Sequence, residues 1–406
     1  MTNAKDVKDY EKYERTIKTI QKRFKTYGYQ RVKTSTFEQY DLYSKVISSI
    51  HQNEMIKVIA KSGEVLVLRP DGTIPITRQV AENITSLESE IRYFYVQDVF
   101  RQSLFSEDSV ESTQAGVEYF SESSPEADAE VIALACHTLK DLGFSDIKIE
   151  VGHAGFFKEL IQDINLTTAE AEQLKSLIKA KNIVEIIPFL KNFSIDKDLQ
   201  EAIGKIPLLY GNPIEVIERA RSIARTPKMN RTLDYLLEVY EILKLYGLET
   251  NIVVDLGLIN HMGYYSDVIF QGFVGKFGKP VLMGGRYDQL GNEFGAMLPA
   301  VGFACEVESL IQASTSTAES KKRPIDIKIT YDSNQLEASI VLANELRERN
   351  YSVLSYPQSK KQASLENSIY QIKLNEEKTF IYRDIVHSFS SINELLKLLN
   401  GAKGAR

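Results

Sequence analysis

Two side chains on one short run carry the clearest chemistry in this sequence. Gln114 and Glu118 stand four residues apart in Thr113 to Phe120, whose pattern reads as a strand, so both face the same side of a sheet. A carboxylate held there can accept a hydrogen bond from a heterocyclic N–H and favour one tautomer or the cation. Tyr264 and Tyr265 are neighbours in a second strand-like run, which would turn one ring to a pocket and the other to the core. Asp71 sits in Arg69-Pro70-Asp71-Gly72-Thr73, where proline and glycine set a turn and an aspartate can cap it. Gly284-Gly285-Arg286-Tyr287-Asp288 reads as a tight turn with an exposed charge, or as part of a site. The five histidines have no ligand spacing, so no metal site is expected. The sequence also lacks a phosphate-cradling glycine loop and a nucleophile elbow.

Several elements must position these groups. Val7, Tyr10, Ile17, Ile20, Phe24 and Tyr27 recur at helical steps until Gly28, and a strand is expected from Val32 to Glu38. Lys61-Ser62-Gly63-Glu64 joins two short strands as a hairpin, and a helix follows from about Ile74. Ile91 to Arg101 and Thr113 to Phe120 are strands around a polar loop. Ser124-Pro125-Glu126 opens a helix that Gly143 stops, and Ile147 to Val151 is a strand. Residues from about 156 to 246 are helical throughout, an insertion between strands. Strands are then expected at Ile252 to Leu256, Tyr264 to Val274 and Pro280 to Met283, with a helix from Gly302 to Gln312. A Ser/Thr/Lys linker separates a core, residues 1–318, from a small C-terminal α/β domain, residues 319–406. In that domain strands are expected near 326–330, 351–355 and 379–382, with helices at 335–349, 364–372 and 392–399.

Composition sets outer limits. The chain has 406 residues, 43% hydrophobic and 26% charged, as in an ordinary soluble protein. Its apolar runs are too short to span a bilayer, and the first residues lack the apolar stretch of a secretory signal. Two cysteines, Cys136 and Cys305, suit a reducing cytoplasm rather than a disulfide framework. A net charge of −6 tilts against nucleic acid as the main partner.

Taken together, the ordered fragments resemble the class II aminoacyl-tRNA synthetases, and histidyl-tRNA synthetase in particular. They are Leu68 to Thr73, Val99 to Ser103, Gln114 to Glu118, Met262 to Tyr265, Gly284 to Asp288 and Gly302 to Ser309. The resemblance covers most of residues 5–312. It implies an α+β fold, an antiparallel sheet flanked by helices, with the helical insertion and the small C-terminal domain attached. It implies that Asp71 and Thr73 meet the ammonium of a bound histidine, that Gln114 and Glu118 complete the pocket with Tyr264 or Tyr265, and that the first helix and strand build a self-dimer. Ser35 stands near the place of the family's proline in that strand.

The departures fall on the groups that handle ATP. Arg101 keeps the family's α-phosphate arginine, but the carboxylate two residues later is Ser103. The loop from Gln102 to Glu111 has no arginine and carries Glu107, Asp108 and Glu111. The family's third motif ends Glu-Arg-Leu; this chain reads Glu308-Ser309-Leu310, and Asn260 stands where an arginine precedes the tyrosine pair. Adenylyl transfer depends on positioned cations, so adenylate formation is expected to be lost. Arg101 is then available for the carboxylate of a free amino acid. The combination resembles the ATP phosphoribosyltransferase regulatory subunits of histidine biosynthesis. It implies no catalytic residues, no cofactor, a short-form catalytic subunit as partner in a hetero-octamer, and histidine as an allosteric ligand. The alternatives are a histidyl-tRNA synthetase or another adenylating paralogue.

Overall fold

The computed structural model describes residues 7–46, 53–84, 90–102, 110–259, 263–314, 325–358, 368–383 and 385–404. The chain forms two compact units, Met1–Ser316 and Thr317–Arg406.

In the first unit, α1 (Val7–Thr26) is amphipathic and buries Ile20 and Phe24 completely. The Phe24 ring meets Phe94 and Phe303 edge-on at centroid distances of 5.8 and 5.7 Å, which locks the helix onto the sheet. Then come β1 (Gln30–Arg31), β2 (Phe37–Gln39), α2 (Tyr40–Lys45), β3 (Lys57–Ile59), β4 (Val65–Leu68) and α3 (Thr73–Asn83). The long hairpin β5 (Ile91–Phe100) and β6 (Glu111–Phe120) leads to α4 (Pro125–Asp141). Ser124 caps α4 by accepting from Ala127 N at 3.3 Å, with Pro125 in the first turn, and Gly143 ends the segment at φ +89°.

After β7 (Ile147–His153) the insertion is built from α5 (Ala154–Ile161), α6 (Thr168–Lys179), α7 (Ile183–Leu190), α8 (Lys197–Lys205), the two-residue strand β8 (Tyr210–Gly211), α9 (Pro213–Arg221) and α10 (Pro227–Leu245). Its boundaries are written in capping chemistry. Thr167 and Glu170 form a reciprocal capping box on α6, while Asp196, Asn212 and Thr226 cap α8, α9 and α10. The chain returns through β9 (Ile252–Asp255), β10 (Val268–Val274), β11 (Leu282–Arg286), β12 (Ala300–Glu306) and α11 (Val307–Ala313).

The main sheet has nine strands in the order β1-β5-β6-β12-β11-β10-β7-β9-β8. It is antiparallel through its centre, and β1–β5 and β7–β9 pair in parallel. One face buries Phe94, Ala115, Val117 and Phe303 in the core that includes Ile20 and Phe24 of α1. The registers Gly302 to Glu118 and Glu306 to Gln114 carry the opposite face, where the polar residues lie. A three-stranded sheet, β2-β4-β3, adjoins it.

Among the described residues the second unit is a five-stranded sheet with two α-helices. Its elements are β13 (Ile325–Tyr331), α12 (Leu336–Glu348), β14 (Val353–Pro357), β15 (Ser368–Leu374), β16 (Lys378–Tyr382), β17 (Ile385–Ser388) and α13 (Ile392–Gly404). The strand order is β14-β13-β15-β16-β17, parallel on both sides of β13 and antiparallel beyond β15.

Four expectations need correction. Gly302 to Gln312 is not one helix. Residues up to Glu306 form β12 between β6 and β11, and only Val307 onward is helical. Val32 to Glu38 is not one strand. Arg69 Nη1 takes the carbonyls of Thr34 and Ser35 at 3.0 and 2.7 Å, so this stretch leaves the ladder and β1 and β2 join different sheets. The strand expected from Tyr264 begins only at Val268. The polar helix expected near 364–372 is instead β15 from Ser368, pairing with β13 and β16; residues 364–367 lie outside the described residues.

Candidate functional site

On the polar face of the main sheet a cavity of about 440 Å³ opens. It brings together all seven residues singled out in the sequence: Asp71, Thr73, Arg101, Gln114, Glu118, Tyr264 and Tyr265. Each is placed by a different local device.

Asp71 and Thr73 sit where the loop after β4 becomes α3. The Asp71 carboxylate accepts from Ile74 N at 2.9 Å, as an aspartate at a helix start does. Arg69 holds the loop from below: its guanidinium is buried and donates to Asp98 O, Thr34 O and Ser35 O. The Tyr95 ring, fully buried, lies against Gly72, and any Cβ there would collide with it. The Gly72 N–H donates to Gln114 Oε1 at 3.1 Å, which ties the loop to β6.

Glu118 forms the floor of the cavity. Thr73 Oγ1 donates to its Oε1 at 2.7 Å, and the Tyr287 hydroxyl donates to its Oε2. It is 1% exposed, and Gly302 on β12 must be a glycine because a side chain there would occupy the carboxylate's place. Burial pushes the Glu118 carboxyl up to about 8; the Tyr287 and Thr73 hydroxyls pull the other way, and Asp71 adds to the rise. Burial likewise raises Asp71, against its backbone hydrogen bonds and Arg101.

Arg101 closes β5. Its Nε donates to Pro70 O at 2.7 Å, and its buried Nη2 finds no partner among the described residues. A buried guanidinium nitrogen without an acceptor is costly, and an incoming carboxylate would satisfy it. Tyr264 and Tyr265 do not alternate between pocket and core. They precede β10, their centroids are 4.9 Å apart, and both line the cavity.

Two site residues escaped the sequence reading. Tyr287 was visible only as one letter of a five-residue motif, yet its hydroxyl reaches Glu118 and its ring meets Tyr264 edge-on at 5.7 Å. Glu306 was visible only as a letter of the Gly302 to Ser309 fragment, whose segment read as helix; on β12 it lines the cavity opposite Gln114. Arg286, by contrast, is structural. It is 2% exposed and donates twice to Asp128 Oδ1, at 2.9 and 2.6 Å, and once to Asp288, joining β11 to α4.

The cation positions are accounted for where they are described. Ser309 is buried and donates its hydroxyl to the Glu306 carboxylate. Glu308 accepts from Thr113 N at 2.9 Å. Ser103, Glu107, Asp108 and Asn260 lie outside the described residues. Among the described lining residues Arg101 is the sole arginine or lysine, against the acidic side chains of Glu54, Asp71, Glu118 and Glu306.

Known proteins share this architecture. The family model for histidyl-tRNA synthetase matches residues 5–310. A protein of Oceanobacillus iheyensis named ATP phosphoribosyltransferase regulatory subunit is 46% identical over 398 residues, 96% of this chain and 95% of that one. One of the same name from Ruminiclostridium cellulolyticum is 32% identical over 393 residues, 94% and 93% of the two chains. A crystal structure from Bacillus halodurans, described as an ATP phosphoribosyltransferase regulatory subunit/histidyl-tRNA synthetase, superposes with a TM-score of 0.81 at 28% identity, covering 92% of this chain and 96% of that one. The chain belongs to the family of ATP phosphoribosyltransferase regulatory subunits, carried on a histidyl-tRNA synthetase-like fold.

Proposed function

We propose that this chain is a non-catalytic subunit that a short-form ATP phosphoribosyltransferase catalytic subunit requires for activity, and that it carries the histidine feedback on that enzyme. The carrying observation is the make-up of the cavity: four acidic side chains, Glu118 among them protonated below about pH 8, around one arginine whose Nη2 lacks an acceptor among the described residues. That pattern suits a free amino acid with a basic ring. Asp71 and Thr73 face the ammonium, Arg101 the carboxylate, and Glu118 the ring N–H. Glu118 is protonated in the empty cavity below about pH 8, so it can share that proton with a basic ring or pass it over as the ring binds, with the Thr73 and Tyr287 hydroxyls left to hold the carboxylate. The same pattern opposes a triphosphate, since each close like-charge pair costs on the order of 1–4 kcal/mol at intermediate dielectric.

Charge-assisted contacts give about 1.5–3 kcal/mol each when shielded from water. Three of them, less association and desolvation costs, suggest a Kd of roughly micromolar to millimolar. Feedback then requires that histidine bind two states of the complex with different affinity. The chain acts in the cytoplasm, as a self-dimer within a hetero-octamer, without nucleic acid. Phe37, Val58, Ile59 and Val65, all exposed on the three-stranded sheet, support burial of that sheet against a second copy. Among the described residues no helix is long and apolar enough to cross a membrane.

The test is co-purification with the short catalytic subunit, then phosphoribosyl transfer assayed against histidine. The expected result is activity only in the complex, inhibited by histidine. A catalytic subunit equally active alone, or a complex blind to histidine, would overturn the reading.

A further inference from the structure

A second cavity, of about 480 Å³, lies farther along the same sheet face, between the insertion and strands β7 to β11. It shares Pro280 and Met283 with the first cavity and is otherwise lined by different residues. Opposite charges meet around one aromatic ring there. Lys181 Nζ lies 4.1 Å from the Tyr210 ring centroid and 3.3 Å from Asp255 Oδ2. At the other end of that ring the Tyr210 hydroxyl donates to Glu150 Oε1 at 3.2 Å, and Gln271 Nε2 donates to Glu150 Oε2 at 2.8 Å.

The two carboxylates differ in how they are held. Asp255 has a lysine and the Gly257 N–H; among the described residues Glu150 is held by the neutral donors Tyr210 and Gln271. Lys179, at the end of α6, also lines the cavity, so two lysines stand with two carboxylates there, and among the described residues Glu150 has no ion pair. Lys181 reaches inward from a left-handed backbone, φ +53°, just past the α6 terminus, a position that favours glycine. The remaining wall is apolar, with Ile269, Phe273 and Met283. Separated charges of both signs about one ring, beside an apolar wall, complement a zwitterion with an apolar tail; a cation or an anion alone would match only half of it.

We propose that this second cavity is a binding site for a free α-amino acid with an apolar side chain, its ammonium on Glu150, its carboxylate at the Lys179 and Lys181 end, and its side chain against Ile269 and Met283. The site is separate from the histidine pocket and does not depend on it. Met283 stands in both walls, so its methyl group can report on either cavity.

The experiment uses the full chain with methyl-labelled methionine, reading the Met283 methyl resonance by NMR with L-leucine as probe. Two analogues divide the zwitterion: 4-methylpentanoate lacks the ammonium and 3-methylbutylamine lacks the carboxylate. Titrations run with histidine saturating the first cavity, and again in Glu118→Gln without histidine, so that a failure of the histidine reading leaves this one legible. Leucine should shift the resonance saturably in both arms. Each analogue should bind about tenfold more weakly or worse, as should Glu150→Gln and Lys179→Gln, each losing one charge-assisted contact. Two variants on different elements guard against one that misfolds. An unsaturable shift, an analogue equal to leucine, or a response lost in Glu118→Gln and kept in Glu150→Gln would overturn the proposal.

Discussion

Replacing Glu118 by glutamine separates the charge of this side chain from its shape. The carboxyl is buried, accepts two hydroxyls, and is pushed up to about 8 from an ordinary 4.5. Between those values the folded chain keeps a proton that the unfolded chain has released. Stability is therefore full below about pH 4.5, falls as pH rises, and levels off above 8. The slope is about 1.4 kcal/mol per pH unit, so this one group costs roughly 3 kcal/mol of stability by pH 7. The amide in Glu118→Gln does not titrate. Denaturant unfolding of the wild type and of Glu118→Gln at pH 5.5, 6.5 and 7.5 should give a difference that shifts towards the variant by about 1 kcal/mol per step. Of the difference at pH 5.5, about 1.4 kcal/mol is already this linkage, one pH unit above 4.5, and the remainder reports hydrogen-bond rearrangement. Parallel curves across the three pH values would show that Glu118 is ionised throughout and refute the burial argument. The same variant should weaken histidine binding by about 1–2 kcal/mol, measured by calorimetry, and raise the histidine needed to inhibit the complex.

Four further outcomes are expected. Arg101→Met should weaken histidine binding by about 1.5–3 kcal/mol, measured by calorimetry, and lower stability by no more than about 1–3 kcal/mol in thermal unfolding, because it frees the Pro70 carbonyl from Nε while the Nη2 it removes has no acceptor among the described residues. The isolated chain should show no histidine-dependent ATP–pyrophosphate exchange above background, since Ser309 is neutral and bound to Glu306. Histidine tRNA should bind no better than other tRNAs, and filter binding should show that interaction fading steeply with salt. Truncation after residue 318 should leave assembly with the catalytic subunit intact in size-exclusion chromatography; loss of assembly by a folded core would assign the contact to the C-terminal unit.

The legible part of this fold is the part written locally. The Ser124-Pro125 helix start, the Gly143 stop and the Lys61 to Glu64 hairpin depend on a few neighbouring residues, and the structure keeps them. The misread stretches are those decided by distant partners. Residues 32–36 are extended in propensity, but Arg69, more than thirty residues away, takes their carbonyls. Gly302 to Glu306 looks like the start of a helix until β6 and β11 are placed on either side of it. The tyrosine pair was placed on a strand by pattern, and the strand starts three residues later. Tyr95 had no motif to mark it, although its ring fixes the spacing between the Asp71 loop and β6.

The same distinction supports the proposal that an amino-acid pocket persists here without adenylyl transfer. The groups proposed to hold an amino acid are bound into the fold. Asp71 caps α3, Gln114 ties the loop to β6, and Glu118 is fixed by Thr73 and Tyr287 over Gly302. Altering any of them disturbs packing or leaves a buried polar group unpaired, at a cost of about 1–3 kcal/mol each. A phosphate-binding cation has no such second duty, because its partner is the nucleotide. At position 309 a small hydroxyl fits, hydrogen-bonded to Glu306, with no penalty to the sheet or to α11. The charges that serve chemistry alone can be exchanged freely, while those that also close a helix or a loop stay, and with them the capacity to bind.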